Sequence, residues 1–231
     1  MSSPSDETKL KRGYGTGHGA DYKPWISTGR FSSTGTASSF PDWKTGRMVE
    51  LLSQGELWWY IKLRWCDSVA DIREQYPLLP REETNEIADK LGIKRPKGGN
   101  FTMTTNMLID LEDGRKLALS IKPSADSITP RKKELMAIEK KYWQERGVSF
   151  SVAFKDDLNR EEIKNIRDCI TVYDKSRIRD EIGVVRHLIA HKKLIVDMSS
   201  PIDYRGIITK LKEDNKWILM TSTLTSPSEL C

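Results

Sequence analysis

Cysteine is scarce in this 231-residue chain, and the few present cannot staple a fold. Cys66, Cys169 and Cys231 are widely spaced, odd in number and never in a Cys-x-x-Cys pair. They suggest no disulfide framework, so a reducing compartment is the expectation. An apolar run of membrane-spanning length is missing, as is the pattern of a secretory signal, and the sequence reads as a soluble intracellular protein without a membrane partner. The run Gly13, Gly15, Gly17, Gly19 has no strand pattern before it and no Gly-Lys-Ser/Thr ending, which leaves a flexible arm rather than a phosphate-binding loop. His187 and His191 stand four apart, as zinc ligands on a helix do, but Leu188 occupies the place of the metalloprotease glutamate and no third ligand is evident. A large charge excess is also lacking. The net charge of +5 and pI near 9.0 suit an acidic partner, yet proteins without one carry as much.

What is present is enough to fold. The chain is 37% hydrophobic, and its length allows one large or two small domains. Residues 1–45 are rich in Gly, Ser and Thr with interspersed Tyr14, Tyr22, Trp25, Phe31, Phe40 and Trp43. Such a stretch cannot build its own core, so an extended arm that docks through its aromatics is expected. From about Val49 to Trp65 the pattern turns helical, with Leu57, Ile61 and Trp65 on one face and Glu56 beside it. Residues 69–78 read as extended, 81–92 as a short helix, and 93–100 as a Lys/Arg/Gly loop. After a central hairpin, residues 130–146 form a helix opened by Pro130, with Leu135, Ile138, Tyr142 and Trp143 as its apolar stripe and Glu139 beside it. A strand over 149–154 and a helix over 160–172 complete a mixed sheet flanked by helices, an α/β domain spanning 46–174. Residues 175–231 read as a small separate unit: a helix over 178–191, a strand-like LIVDM at 194–198, and a hairpin turning at Asp214-Asn215. A helix followed by a hairpin suits a winged-helix-like domain.

The central hairpin, Thr104 to Lys122, carries the chemistry. Asp113-Gly114 between apolar runs is a strong hairpin signal. A three-residue loop, Glu112-Asp113-Gly114, sets Leu111 against Arg115 and Asn106 opposite Ser120, with Lys122 on the same face. A two-residue loop would send Asn106 and Lys122 to opposite faces. Only the odd-length loop makes a site: a polar acceptor, a hydroxyl and a lysine together. That is the layout of a metal-dependent nuclease hairpin, in which hard oxygen ligands hold the ion and a lysine stands by the attacking water and the phosphate. A polar sheet face with a satisfied asparagine explains the same residues. Two basic clusters, Lys94, Arg95, Lys97 and Arg131, Lys132, Lys133, flank the hairpin and are candidates for gripping DNA phosphates. Cations at a helix start oppose the helix dipole, so structure alone gives no reason for the second cluster.

Several segments in order, GTGHGADYKPW, KTGR, LLSQGEL, DIREQYPLLP, TTNMLID, SIKP and AIEKKYW, together resemble the TnsA family, endonuclease subunits of heteromeric cut-and-paste transposases. The resemblance runs over residues 13 to 172 and is looser beyond. It implies a restriction-endonuclease-like core, an Mg2+-dependent cut (Mn2+ substituting) on the 5′ strands at transposon ends, and a C-terminal helical or winged domain. It implies as partners double-stranded DNA, a TnsB-like recombinase and a TnsC-like AAA+ ATPase regulator, in a bacterial cytoplasm and on the nucleoid during transposition. Carried over by position, the catalytic residues are Glu56, Asn106, Lys122 and Glu139. The metal set is Glu56, Asn106, Ser120 and the carbonyl of Ile121. The family pattern has Asp at position 106, and often Gln at 120. An amide oxygen is a weaker Mg2+ ligand than a carboxylate. Either a natural variant relies on Glu56 and Glu139, or position 106 carries an inactivating substitution; a non-catalytic scaffold that binds DNA and transposase partners is the alternative function.

Overall fold

The computed structural model describes residues 4–28 and 37–221; Phe31 and Cys231 lie outside them. The chain divides into two compact units, Met1–Leu158 and Asn159–Cys231. Among the described residues no helix is long and apolar enough to cross a membrane.

The first unit runs α1 (Asp6–Lys11), β1 (Ser38–Pro41), β2 (Met48–Leu51), α2 (Gln54–Trp65), β3 (Val69–Pro77), α3 (Arg81–Lys90), β4 (Thr104–Leu111), β5 (Lys116–Lys122), α4 (Pro130–Gln144) and β6 (Ser149–Phe154). Its main sheet has the order β3-β4-β5-β6; β3 and β5 run antiparallel to β4, and β6 runs parallel to β5. This is the expected mixed sheet flanked by helices. Alternation along the strands sorts side chains onto two faces. Met107, Ile109, Leu119 and Ile121 pack with Tyr60 of α2 and with Val49 and Leu51 of β2. Leu108 and Ala118 pack on the other face under Ile138, Tyr142 and Trp143 of α4 and Ile87 of α3. Truncating the fully buried Ile138 to alanine would cost about 2–5 kcal/mol.

The β4–β5 register is the odd-loop one. Asp110 pairs with Lys116 and Met107 with Leu119, so one step on Asn106 falls opposite Ser120. The Leu111 N–H donates to Arg115 O at 2.9 Å, and Gly114 sits at φ +84° at the loop's left-handed position.

Two segments of the first unit differ from the sequence reading. Helix α2 starts at Gln54, because the Ser53 hydroxyl caps it by accepting from the Glu56 N–H. Val49 and Leu51 before it are buried in strand β2. Residues 1–45 are not an extended arm throughout: Ser5 caps α1, and β1 pairs with β2. The arm docks as its aromatics suggested. Tyr22 and Trp25 are 2% and 3% exposed. Tyr22 donates through its hydroxyl to Glu74 O at 2.9 Å, and the Trp25 N–H to Gln75 O at 3.3 Å. The arm thereby covers β3, the strand at one end of the sheet.

The second unit contains α5 (Arg160–Ile170), α6 (Glu181–Ala190), α7 (Tyr204–Glu213) and α8 (Trp217–Thr221), and no strand among its described residues. The expected winged-helix hairpin is therefore replaced by helices. Asp203 caps α7 by accepting from the Gly206 N–H at 3.0 Å, and Ile208 and Leu211, three apart, share its buried face. Asp214-Asn215 ends that helix: Asn215 takes φ +55° and the Lys216 N–H returns to Leu211 O. LIVDM follows a helix stop at Lys192 (φ +58°) and has no partner strand among the described residues; Asp197 turns it by accepting from Ser199. Helix α5 belongs to this unit, so the division falls at 158/159 rather than at 174/175. His187 Nδ1 lies 2.7 Å from Val172 O and His191 Nε2 2.9 Å from Tyr173 O, so the pair clamps the chain that leaves α5.

Candidate active site

The site forms where the ends of β3, β4 and β5 meet the start of α2 and the middle of α4. Glu56 arrives there because Ser53 fixes the first turn of α2, and because Gly55 lets that turn approach closely: a Cβ on Gly55 would stand 3.2 Å from Lys155 Cβ and 3.5 Å from Ile121 Cγ2. Four donors reach the Glu56 carboxylate: the Leu52 N–H (2.9 Å), the Ser53 hydroxyl (3.2 Å), Gln75 Nε2 (2.8 Å) and Asn106 Nδ2 (3.2 Å). A carboxylate has about four lone-pair sites, so Glu56 is saturated. Burial still pushes its pKa up to about 7, against the pull of those hydrogen bonds and of Lys122.

Asn106 is the hinge of the arrangement. Its Oδ1 accepts the Ile121 N–H at 2.8 Å, and its Nδ2 faces Glu56. Both partners fix the same amide orientation: an N–H needs the oxygen and a carboxylate needs the NH2. An aspartate here could give one oxygen to Ile121 and present the other beside Glu56, two carboxylate oxygens whose repulsion a divalent cation would relieve. The asparagine has one oxygen, already used, and its donor stands where that cation would bind. The residues expected to hold Mg2+ therefore do meet, but the pair Glu56–Asn106 fits an amide bridge and not an ion.

The remaining residues complete one cluster. Lys122 Nζ donates to Ser120 Oγ at 2.8 Å and lies 3.3 Å from the Ile121 carbonyl. Burial lowers its pKa from the usual lysine value, as does Lys132, against the opposing pull of Glu139 and Glu56. Glu139, on α4, is 5% exposed and Oε1 has no hydrogen-bond partner. Burial pushes its carboxyl up to about 7 as well, although the Thr105 and Ser120 hydroxyls and Lys122 favour the charged form.

The structure also brings the two basic clusters together. Arg131 Nη2 donates to Lys94 O at 2.7 Å and its Nη1 pairs with Glu134 at 2.7 Å. Arg95 is held by Asp89, Lys97 lies over the Phe101 ring, and Lys132 donates to Ser127 O. Lys94, Lys97, Lys132 and Lys133 are exposed, and Lys132 is near enough to Lys122 to lower its pKa.

Sequence reasoning missed Gln75. The flanking pairs Glu74–Met107 and Tyr76–Thr105 set it opposite Asn106, in one row with Ser120. It is 1% exposed and takes φ +50° in mid-strand, backbone strain of about 1–3 kcal/mol. Extending the hairpin register to the preceding strand would have found the row; no residue pattern announces the φ.

A second group of ligand-type residues, His18, Asp71 and Asp110, lies nearby in chain but serves the arm. His18 Nδ1 is 3.6 Å from both carboxylates. Arg73 spans Asp110 at 2.9 and 2.8 Å, Lys116 adds a second cation, and the Gly19 N–H donates to Asp71. Two protein cations already answer the charge that a metal would seek.

Residues 66–154 match the family model described as TnsA-like endonuclease N terminal. The transposon Tn7 transposition protein TnsA of Escherichia coli is 32% identical over 204 residues, which are 84% of this chain and 74% of that protein. The first unit has the expected mixed sheet flanked by helices, and with these matches the chain belongs to the TnsA family of transposition endonucleases.

Proposed function

We propose that the chain is the subunit placed to cut the 5′, non-transferred strands at transposon ends, beside a TnsB-like recombinase that handles the 3′ ends. The observation that carries this reading is the convergence of Glu56, residue 106, Lys122 and Glu139 around Ser120–Ile121 in a member of this family. In hydrolysis, a water oxygen forms a bond to phosphorus while the bond to the leaving sugar oxygen breaks. Lys122 is placed to hold the phosphate charge, and Glu139, with an unpartnered oxygen, to hold a proton of the attacking water. The exposed lysines beside Lys122 hold the duplex by its backbone.

Position 106 sets the activity. With asparagine the cluster is closed on itself and cutting is weak; with aspartate the carboxylates of residues 56 and 106 form the set for Mg2+ or Mn2+. The test is end cleavage with the cognate recombinase, comparing the chain with its Asn106→Asp variant at matched metal. Higher 5′-strand cleavage by the variant supports the reading, and equal cleavage by both forms contradicts it.

The second reading is a nuclease-fold scaffold, and the saturated Glu56 favours it: two of its hydrogen bonds fix the start of α2 and two tie it to β3 and β4, without any chemistry. An Asn106→Asp variant that binds metal but leaves both strands intact would select it. In either case the second unit is the docking part for a TnsC-like AAA+ ATPase. A cut after Leu158 removes it whole; a cut after Tyr173 would strand α5, whose Ile163, Ile166 and Ile170 are buried in that unit. Loss of regulator binding on removal of residues 159–231 is expected, and retained binding would move the dock to the first unit.

A further inference from the structure

Gln75 is hydrogen-bonded to two parts of the first unit: the arm and the candidate active site. Its main-chain carbonyl accepts the Trp25 N–H at 3.3 Å, and its side-chain amide donates to Glu56 Oε2 at 2.8 Å. A left-handed residue inside a strand turns its peptide planes out of the regular ladder, and here that lets one residue serve both directions. The arm holds this conformation from outside. Tyr22 is seated on Glu74 O, immediately before Gln75, and Gly15 lies against Pro77, two residues after it. From Glu56 the chain of contacts continues to Asn106 and then to the Ile121 N–H.

We propose that Gln75 is a positioning residue that couples the seating of residues 13–25 on β3 to the orientation of Glu56, so that lifting the arm loosens the Glu56–Asn106 bridge. The inference rests on the reading of that bridge as the centre of a nuclease site. It makes the arm a handle on the site: whatever partner engages residues 13–25 in the assembled transposase acts on Glu56 through one strained residue. Relief of an unfavourable φ is a two-state change, since residue 75 is either left-handed or in the ordinary strand region.

The test uses the full chain without metal or DNA, so its failure is distinct from a failure to cut. The readout is the side-chain NH2 signals of Gln75 and Asn106 in nitrogen-edited magnetic resonance spectra. Gly15→Ala is the arm variant: Gly15 has φ +74°, and a Cβ there would stand 2.4 Å from Pro77 Cγ, a ring atom that cannot swing away. Gln75→Leu removes the amide, and Gln75→Asn shortens it while keeping a residue that tolerates the left-handed region. Gly15→Ala is expected to shift both NH2 signals, although Asn106 has no hydrogen bond to the arm. In either Gln75 background, Gly15→Ala should leave the Asn106 signal where the Gln75 variant alone put it. An Asn106 signal unmoved by Gly15→Ala would overturn the proposal. So would an equal shift with and without Gln75, because the coupling would then bypass this residue.

Discussion

Glu56 and Glu139 approach the same lysine from helices packed on opposite faces of the sheet, and burial raises both to about 7. Their surroundings are otherwise unlike. Glu56 receives four hydrogen bonds and caps the turn that begins α2; Glu139 keeps one oxygen without a partner. A saturated carboxylate holds structure and takes part in chemistry only if a donor is withdrawn. An unsatisfied one costs stability, and this is the kind of group that a fold retains for function. The difference is made by residue 106, whose NH2 fills the last acceptor position on Glu56.

The largest effect should follow from withdrawing that donor. Asn106→Asp is expected to raise 5′-strand cleavage at least roughly tenfold to a hundredfold in Mg2+, measured with the cognate recombinase. In that background Lys122→Ala should remove most of the gain, a loss of about 10²–10³ in rate, because the phosphate charge then has no buried cation beside it. Unchanged cleavage after Lys122→Ala would take the lysine out of the site.

The two glutamates should separate in stability. A carboxyl whose folded pKa is raised contributes stability that is fully present below the unfolded value near 4.5 and lost as pH rises through about 7. Glu139→Gln should flatten that decline by an amount on the order of 3 kcal/mol, read from urea midpoints between pH 4.5 and 8. Glu56→Gln should flatten the decline too, but it should also destabilise by about 1–3 kcal/mol at pH 4.5, since an amide NH2 would face the donors aimed at Glu56. If both variants behaved alike, the contrast between the two residues would vanish.

The hairpin was legible because Asp113-Gly114 fixes the loop and period-2 alternation fixes the faces; Asn106, Ser120 and Lys122 followed from counting. The 204–221 stretch was not legible in the same way. GIITKL suits strand or helix, and the Asp203 cap and the left-handed Asn215 decided it locally. Asp214-Asn215 stops a helix as readily as it turns a hairpin, whereas Asp-Gly between alternating strands has fewer uses. Glu139 was placed beside its helix stripe, but its missing partner depends on Thr105 and Ser120 arriving from strands. Gln75 lay within a recognised segment, yet its left-handed φ has no local residue signal, and its carbonyl is bonded to the distant Trp25. The saturation of Glu56 was likewise a property of three separate segments, Leu52–Ser53, β3 and β4.

The smallest effect concerns the basic residues. Neutralising Arg131, Lys132 and Lys133 together should weaken binding to all duplexes alike and lower the slope of log affinity against log salt by roughly one to three. The low end is favoured for Arg131, whose guanidinium is already engaged with Glu134 and Lys94 O. An unchanged slope, with the fold intact by circular dichroism, would leave these residues facing solvent only.

The central claim is that the Asn106 amide stands where a divalent cation would otherwise join Glu56 to residue 106. Calorimetric titration of Mg2+ and Mn2+ into the full chain and into Asn106→Asp, without DNA, tests it most directly. The account predicts a saturable site in the variant and none of comparable strength in the chain with asparagine. Equal binding by both would contradict it.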